Sequence, residues 1–240
     1  MSTDQVLTRA RALWEGLAVV PVSFSSAAAA SVVVSPNAMI CPQGWAGVIA
    51  LQGQAIVTAP SSVAAEAISA AVAKLSVDEL VDPDLLGKVL PLAEVLGPAA
   101  LAYVDEYSFR PVSLSSLSLE ALPVEHPDLR DLATLSGDQD AEESGLDEIT
   151  SPAFAIRDDG QVIAAAGYRT WPSRTAHLSV LTAPDRRGQG LARIAASAAV
   201  AHALEAGLLA QWRARSPQSR RVARALGFRE LGTQLSIRLS

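Results

Sequence analysis

The feature that most constrains the fold is a long uncharged segment near the start of the sequence. Residues 16–65 contain no Asp, Glu, Lys or Arg. Pro21, Pro36, Pro42 and Pro60 interrupt this segment, so it holds no window of about 20 apolar residues for a membrane-spanning helix. The short apolar runs between the prolines are typical of buried strands. The segment therefore predicts the interior sheet of a soluble domain, and the polar residues before it do not form a signal-peptide pattern.

Composition narrows the class of protein further. The chain has 240 residues, of which 50% are hydrophobic and 18% charged, which favours one large or two small folded domains. Cys41 is the single cysteine, so an internal disulfide is excluded and a cytoplasmic location is expected. His126, His177 and His202 lie far apart and have no cysteine partners, so no metal site is predicted.

The N-terminal half is predicted to combine helices with short strands. An amphipathic helix over residues 3–15 is followed by apolar runs between Pro and Gly turn signals, which predict an antiparallel meander. Between Pro111 and Pro123 the composition changes to Ser and Leu, and we place a domain boundary there, with domains 1–112 and 113–240. The strands of the meander are expected at residues 31–35, 38–41, 45–51 and 54–59. An alanine-rich helix to residue 75, two short helical pieces over residues 78–90 and a segment over 99–105 that returns to the sheet are expected after them.

The C-terminal half has a clearer pattern. Asp158-Asp159-Gly160 predicts a hairpin turn, Gly207 and Gly227 are placed to end two helices, and Ser216-Pro217 is a typical helix start. The final strand alternates, with Leu231, Thr233, Leu235, Ile237 and Leu239 on one face and Gly232, Gln234, Ser236 and Arg238 on the other. The expected elements are a helix over residues 127–135, strands over 153–157, 162–170 and 175–182, a helix over 190–206, a strand over 208–213, and a helix over 217–226.

The loop between strand 175–182 and helix 190–206 carries the strongest functional signal. It reads Pro184-Asp185-Arg186-Arg187-Gly188-Gln189-Gly190 and leads directly into the alanine-rich helix. Glycines allow successive backbone N–H groups to turn toward one ligand, and a helix N-terminus adds unpaired donors and partial positive charge. The loop lacks the Gly-Lys-Ser/Thr ending of nucleotide triphosphatases, and no acidic residue follows at the spacing of a dinucleotide fold. It therefore predicts a pyrophosphate site.

The six residues from Arg187 to Ala192 resemble the Arg/Gln-x-x-Gly-x-Gly/Ala loop of the GNAT superfamily of acetyl-CoA-dependent N-acyltransferases. The downstream strand, the capped helix, Gly227-Phe228 and the closing strand follow in the order of that family. The resemblance implies an α/β fold with a mixed α+β sheet over residues 113–240, preceded by a smaller α+β domain. That first domain is either a degenerate GNAT-like half or a cap over the acceptor pocket.

The resemblance also implies roles for individual residues. The strand backbone at Val180, Leu181 and Thr182 would bind the pantetheine arm of acetyl-CoA, and Ser216 stands where the family often has an Asn near the thioester. Arginines at 220, 221 and 224 either meet the phosphates of coenzyme A or form a solvated helix face. The backbone N–H groups of the loop would hold the pyrophosphate, namely those of Arg187, Gly188, Gln189, Gly190, Leu191 and Ala192.

The usual catalytic residues of the family are absent. The positions of its frequent tyrosine and strand glutamate correspond to Ala223 and Ala176. Aminolysis of a thioester requires a deprotonated amine, so replacement bases are needed unless proximity supplies the acceleration. His177 and Glu143 are the candidates. Glu143 belongs to an acidic segment with Glu142, Asp147 and Glu148, which we expect to attract a cationic acceptor.

Three functions follow from this sequence. The first is an N-acetyltransferase that moves the acetyl group of acetyl-CoA directly to a primary amine of a small molecule or peptide in a ternary complex. The second is a catalytically degenerate module that binds or senses acyl-CoA, and the third places the function in residues 1–112. No nucleic-acid partner is expected, because the chain has a net charge of −6 and no aromatic residues that could stack on bases near the basic helix. No membrane partner is expected, because prolines interrupt the uncharged segment. A homodimer could form through the edge of the final strand.

Overall fold

The computed structural model describes residues 4–24, 29–112 and 118–240. The chain divides into two compact units, an N-terminal unit of Met1–Ala102 with Glu230–Ser240 and a C-terminal unit of Tyr103–Arg229. The final strand is therefore counted with the N-terminal unit. The predicted division into domains 1–112 and 113–240 stays a prediction, because its boundary adjoins residues 113–117, which lie outside the described residues.

The elements are numbered here in chain order. The helices are α1 (Gln5–Leu17), α2 (Ser62–Val72), α3 (Pro83–Leu86), α4 (Pro127–Ser136), α5 (Asp138–Ser144), α6 (Leu191–Glu205) and α7 (Pro217–Ala225). Single 3₁₀ turns lie at Glu79–Val81, Leu146–Glu148 and Pro184–Arg186. The strands are β1 (Ala30–Val34), β2 (Ala46–Leu51), β3 (Gln54–Ala59), β4 (Leu92–Val104), β5 (Leu119–Leu122), β6 (Ala153–Asp158), β7 (Gln161–Trp171), β8 (Thr175–Thr182), β9 (Leu209–Ala214) and β10 (Arg229–Leu239).

The strands of the N-terminal unit follow the order β1, β3, β2, β10, β4. The two-residue turn Gln52-Gly53 joins β2 and β3 into an antiparallel hairpin. The expected meander is wrong for β1, which pairs parallel to β3 from Ala30↔Ala55 to Val34↔Ala59. A parallel partner needs a long connection, and residues 35–53, which include Pro36, Pro42 and strand β2, provide it between β1 and β3.

The strand expected at residues 38–41 is also absent, because this segment forms bends within the connection. Ile40 packs so closely on Gly47 that a Cβ on that glycine would lie 2.6 Å from Ile40 Cγ2. Gln234 Nε2 donates to the Ile40 carbonyl oxygen at 2.6 Å. A side chain thus satisfies a backbone group that strand pairing would otherwise have satisfied.

The core of the N-terminal unit is apolar and closely packed. Every residue of β2 is buried. The side chains of Val48, Val57, Ile68, Leu86 and Leu235 belong to one buried cluster that joins the sheet to the helices beside it. The low charge of residues 16–65 reflects this burial, since an unpaired charge inside such a cluster would be costly.

The last strand occupies an interior position in the sheet. It lies between β2 and β4, and its register with β2 runs from Gly232↔Leu51 to Ile237↔Ala46. The expectation that its edge is free to pair with a second copy is therefore wrong. The alternating pattern of this strand predicted the faces of its side chains, but it carried no information about its neighbours.

The C-terminal unit has the strand order β9, β8, β7, β6, β5. The strands from β5 to β8 pair antiparallel, and β8 pairs parallel to β9. The predicted hairpin across Asp159 and Gly160 is present. Helix α6 packs on the sheet through small buried residues such as Ala195, Ala199 and Ala203, which allow close approach.

The predicted fold class, α/β with a mixed α+β sheet, is confirmed. Both units combine parallel and antiparallel strand pairs with packed helices. Within residues 4–24, 29–112 and 118–240, no helix is long and apolar enough to cross a membrane.

Candidate functional site

The candidate site is a cleft that opens where β8 and β9 stop pairing. The two strands pair only at Thr175–His177 with Leu209–Gln211. Beyond these positions β8 continues to Thr182 and β9 to Ala214, and a cavity of about 530 Å³ lies along them. Backbone groups on the facing edges of strands that have separated can bind an extended ligand in place of the missing strand partner.

Five parts of the C-terminal unit line this cavity: the end of β8, the glycine loop with the start of α6, the end of β9, one side of α7, and α5. From β8 and the loop come Leu178, Val180, Leu181, Thr182, Arg186, Arg187, Gly188, Gly190, Leu191, Ala192 and Arg193. From α5, β9 and α7 come Asp140, Glu143, Ser144, Trp212, Arg213, Ala214, Arg215, Gln218, Ser219, Arg221, Val222 and Ala225.

The glycine loop has the backbone conformation of an anion-binding site. Gly188 and Gly190 have φ angles of +80° and +81°, a region that favours glycine. A Cβ at either position would meet no atom within 4 Å, so the space in front of the loop is open. Within the described part of the chain, the backbone N–H groups of residues 188–192 have no internal acceptor. These donors and the N-terminus of α6 together favour an anion.

Ion pairs with neighbouring elements hold the arginines of this loop. Arg187 pairs through Nη2 with Asp140 of α5, and its Nε donates to the Thr182 carbonyl oxygen at 3.4 Å. Arg186 Nη2 lies 2.8 Å from Asp158 Oδ2. The loop is thus tied to α5 on one side and to the β6–β7 hairpin on the other.

The structure brings together most of the residues predicted to bind acetyl-CoA. Eight of the ten line the cavity, and the two that do not are Gln189 and Ser216. Ser216 instead caps α7, accepting a hydrogen bond from Ser219 N at 3.2 Å. Of the three arginines of α7, Arg221 lines the cavity, whereas Arg220 and Arg224 do not.

The β9 side of the cleft was missed in the sequence analysis. Trp212 forms a wall there, with its Nε1 donating to Ser219 Oγ at 2.9 Å and its ring in edge contact with Phe228. Arg213 and Arg215 also line the cavity. The alternation of Gln211 and Arg213 along the strand was the available signal for one of them, because alternate residues of a strand share one face, whereas Arg215 follows the end of β9.

Of the two predicted catalytic residues, Glu143 lies at the cavity. Its Oε1 is 3.3 Å from Arg215 Nε, and both side chains are about half exposed. Glu148 forms a separate ion pair with Arg169, at 2.6 Å. Two carboxylates of the segment expected to attract a cationic acceptor are therefore already paired with arginines.

The other predicted base, His177, does not line the cavity. Its ring stacks on Trp171 with 4.0 Å between centroids, and its Nδ1 is hydrogen-bonded to Gln211 Oε1. Burial, and after it the charge of Arg213, lowers the pKa of His177 from 6.5 to about 3. A histidine with so low a pKa is neutral near pH 7 and accepts a proton weakly, so the site gives no support to its role as a base.

Comparisons with known proteins agree with the predicted family. Residues 151–233 match the family model described as GNAT acetyltransferase. An acetyltransferase of the GNAT family from Colwellia psychrerythraea aligns over 100% of this chain and 98% of its own, with 12% identity and a TM-score of 0.51. That alignment shows that the two chains share a fold. No curated protein matches this chain.

Two further solved structures match part of the chain. A GCN5-related N-acetyltransferase from Kribbella flavida is 18% identical over 64% of this chain and 62% of its own, with a TM-score of 0.49. A GNAT superfamily phosphinothricin acetyltransferase from Sinorhizobium meliloti, in complex with acetyl-CoA, is 20% identical over 52% of this chain and 89% of its own, with a TM-score of 0.40. The chain spans 62–66% of the length of the Kribbella protein and of two other matched structures.

Proposed function

We propose that this protein transfers the acetyl group of acetyl-CoA to a primary amine, because residues 151–233 match the family model described as GNAT acetyltransferase. The acceptor is a small molecule or a peptide, and the transfer is direct, within a ternary complex. One observation carries the proposal. The cleft between β8 and β9 ends at a glycine loop whose N–H groups, within the described residues, have no internal acceptor.

The residues of the cleft fit acetyl-CoA along its length. The N–H groups of residues 188–192 would hold the pyrophosphate, and Arg221 of α7 would meet another phosphate. The backbone of Val180–Thr182, on the edge of β8 that β9 leaves open, would bind the amides of the pantetheine arm. Among the described residues the buried Thr182 Oγ1 has no hydrogen-bond partner, so it can bond to the arm as well.

The chemistry required of the chain is modest once both substrates are bound. Acetyl-CoA supplies an acetyl thioester, and the amine nitrogen attacks its carbonyl carbon, so that a C–N bond forms, the C–S bond breaks, and the products are an amide and a thiol. Holding two reactants in the correct orientation lowers the barrier by about 7–11 kcal/mol. The walls formed by Leu178, Val180 and Trp212 would hold the arm in place beside the acceptor.

Glu143 is the proposed proton acceptor. It lines the cavity from α5, and its ion pair with Arg215 fixes the position of its carboxylate. It can take the proton that the ammonium form of the acceptor must lose, directly or through one water molecule.

Titration with acetyl-CoA, followed by amine-dependent release of thiol, tests this function. The protein is first titrated with acetyl-CoA by calorimetry, and the complex is then incubated with polyamines, aminoglycosides, amino acids and peptide N-termini while free thiol is measured. The proposal predicts binding at one site per chain and thiol release with one class of amine. Absence of acetyl-CoA binding would contradict it.

A second candidate function has an observation in its favour. Ala176 and Ala223, at the positions of the usual glutamate and tyrosine, are both buried and carry no group that can transfer a proton. A protein with this site could bind acyl-CoA without catalysis. Tight binding with no thiol release over the whole amine panel would favour this second function.

A further inference from the structure

We propose that Ser179 of β8 is a positioning residue for the acetyl transfer, and that it acts by holding α5, and with it Glu143, in the orientation that the reaction needs. This inference rests on the proposed function, in which Glu143 takes a proton from the acceptor amine. Ser179 does not line the cavity itself, and its side chain contacts the chain just after α5. Its effect on the reaction is therefore exerted through that helix.

Helix α5 is held mainly by polar contacts. None of its residues is buried, so packing of its own side chains does not fix it. Asp140 pairs with Arg187 of the glycine loop, and Glu143 pairs with Arg215 at 3.3 Å. The side chains of both pairs are about half exposed, and exposed ion pairs contribute little to stability. A contact that is shielded from water therefore has more influence on how α5 lies.

Ser179 makes such a contact from the sheet. Its Oγ donates to the carbonyl oxygen of Gly145 at 3.0 Å, and the residue is only 3% exposed. Gly145 ends α5 with a φ angle of +58°, two residues after Glu143. The same carbonyl oxygen accepts from Glu148 N at 3.1 Å, but that bond is local to the turn and cannot tie the turn to the sheet. The Ser179 bond joins the end of α5 to β8.

An apolar anchor in the same turn makes the role of Ser179 more specific. Leu146 is 4% exposed and belongs to an apolar cluster with Leu132 of α4 and Leu181 of β8. Apolar contact holds the turn near the sheet but is non-directional, whereas a hydrogen bond weakens steeply when its angle changes. Leu146 thus keeps the turn in place, and Ser179 sets its orientation.

The orientation of α5 decides where the Glu143 carboxylate lies. A proton acceptor must come within about 2.6–3.2 Å of the group that it deprotonates, or reach it through one water molecule. A displacement of about 1 Å can slow a reaction by about 100-fold. The ion pair with Arg215 can orient the carboxylate only where the helix has brought the two side chains together. Ser179 thus raises kcat without contacting either substrate.

A double-mutant cycle on the full chain tests this role. The assay follows thiol release from acetyl-CoA with the fastest-reacting of the polyamines, aminoglycosides, amino acids and peptides. Ser179→Ala should lower kcat about tenfold, because α5 then holds Glu143 less precisely. In the Glu143→Gln background the same substitution should change kcat by less than twofold, because no base is left to misplace. The Kd for acetyl-CoA should stay within twofold in both backgrounds, since Ser179 lies outside the cavity lining.

Two further variants serve as controls. Ser136 is also a buried serine whose Oγ donates to a backbone carbonyl oxygen, that of Leu132 at 2.8 Å, but it lies at the end of α4 and outside the cavity lining. Ser136→Ala should lower the urea midpoint about as much as Ser179→Ala and keep the wild-type kcat. Ser179→Thr retains the hydroxyl in a residue that suits a strand, so its kcat should lie within threefold of the wild type.

Three results would overturn the inference and leave the proposed acetyl transfer standing. The first is a wild-type kcat in Ser179→Ala when Glu143→Gln is slow. The second is an equal loss of kcat from Ser179→Ala in both backgrounds, which would make the serine a purely structural residue. The third is a kcat of Ser179→Thr as low as that of Ser179→Ala.

Other results would reach further than the inference. A wild-type kcat in Glu143→Gln would overturn the proposed base, and the role of Ser179 with it, while acetyl transfer would stand. Binding of acetyl-CoA without thiol release for any amine would overturn both the inference and the proposed catalysis.

Discussion

The β2–β3 hairpin and the β8–β9 pair show two uses of similar strands. The hairpin pairs over five positions, from Gly47↔Thr58 to Leu51↔Gln54, and its side chains are almost all buried. The parallel pair holds over three positions and then opens into a cavity of about 530 Å³. The binding site therefore arises where pairing ends.

The side chains around the closed hairpin and around the open cleft also differ in polarity. The cluster around β2 and β3 consists of buried apolar side chains. The cleft beside β8 is lined by six arginines and two carboxylates, together with Val180, Leu178 and Trp212. The apolar strand thus supplies a wall, and charged groups from the neighbouring elements supply recognition.

The largest expected effect comes from forcing the closed sheet of the N-terminal unit apart. A Cβ on Gly232 would lie 1.8 Å from the Ala50 carbonyl oxygen, so Gly232→Val must displace β10 from β2. We expect a loss of about 3 kcal/mol or more in the free energy of unfolding. Urea denaturation measures it, and Thr233→Val, one residue along the strand, should change stability by less than about 1 kcal/mol. A Gly232→Val protein as stable as the wild type would contradict the β2–β10 register.

The next effect comes from filling the open cleft. Gly190→Trp places a large ring in front of the loop and strains a backbone with φ of +81°, so acetyl-CoA should bind at least about 100-fold more weakly. Gly160→Trp is the matched control. That glycine also has φ of +81° and open space around it, but it lies in the β6–β7 turn outside the cavity lining. Equal affinities of the two variants, measured by calorimetry, would sink the assignment of the loop.

Substitution of the proposed base, Glu143, is expected to have a smaller effect. Glu143→Gln keeps the shape of the side chain and its reach to Arg215 but removes the proton acceptor, so kcat should fall by about 100-fold. The acidic limb of the pH–rate profile should change with it. Glu142→Gln, one residue away and outside the cavity lining, serves as the control. An unchanged kcat with a raised KM for the acceptor would instead make Glu143 a positioning residue for Arg215.

The smallest kinetic effect is expected at His177. Because its pKa is lowered to about 3, the folded protein does not protonate it near neutrality, and His177→Asn should leave the pH–rate profile between pH 6 and 9 unchanged. A displaced profile would restore His177 as a catalytic group.

The same histidine should affect stability at low pH. The unfolded chain protonates His177 below about pH 6.5 and the folded chain does not, so the folded state loses about 1.4 kcal/mol per pH unit as the pH falls toward 3. Above pH 6.5 this contribution is constant. Denaturation midpoints measured at pH 7 and pH 5 should therefore differ less in His177→Asn than in the wild type.

The sequence predicted local structure well and long-range pairing poorly. Strands 54–59 and 175–182 agree with β3 and β8 to the residue, because turn residues bound each of them. The pairing of β1 with β3 and the interior place of β10 were missed, since periodicity reports the face of a strand and not its neighbour. Strand β5 was missed as well, within a stretch whose Ser and Leu residues suggested a linker.

The sequence also predicted only part of the candidate site. The glycine loop has a motif that depends on backbone conformation, so its residues could be named in advance. No sequence motif marks Arg213 and Arg215. They line the cleft only because β9 separates from β8 before it reaches them, and the sequence does not show where that separation occurs. His177 was chosen for its usual pKa, and burial beside Trp171 removed that property.

Amide hydrogen exchange with and without acetyl-CoA tests the central claim most directly, because it shows which backbone groups the ligand covers. The N–H groups of residues 188–192 have no internal acceptor among the described residues, so they should exchange rapidly in the free protein. We predict that acetyl-CoA slows exchange in residues 178–192 and leaves residues 46–59 of the closed hairpin unchanged. Protection confined to residues 46–59, or no protection in the loop at saturating acetyl-CoA, would contradict a binding site between β8 and β9.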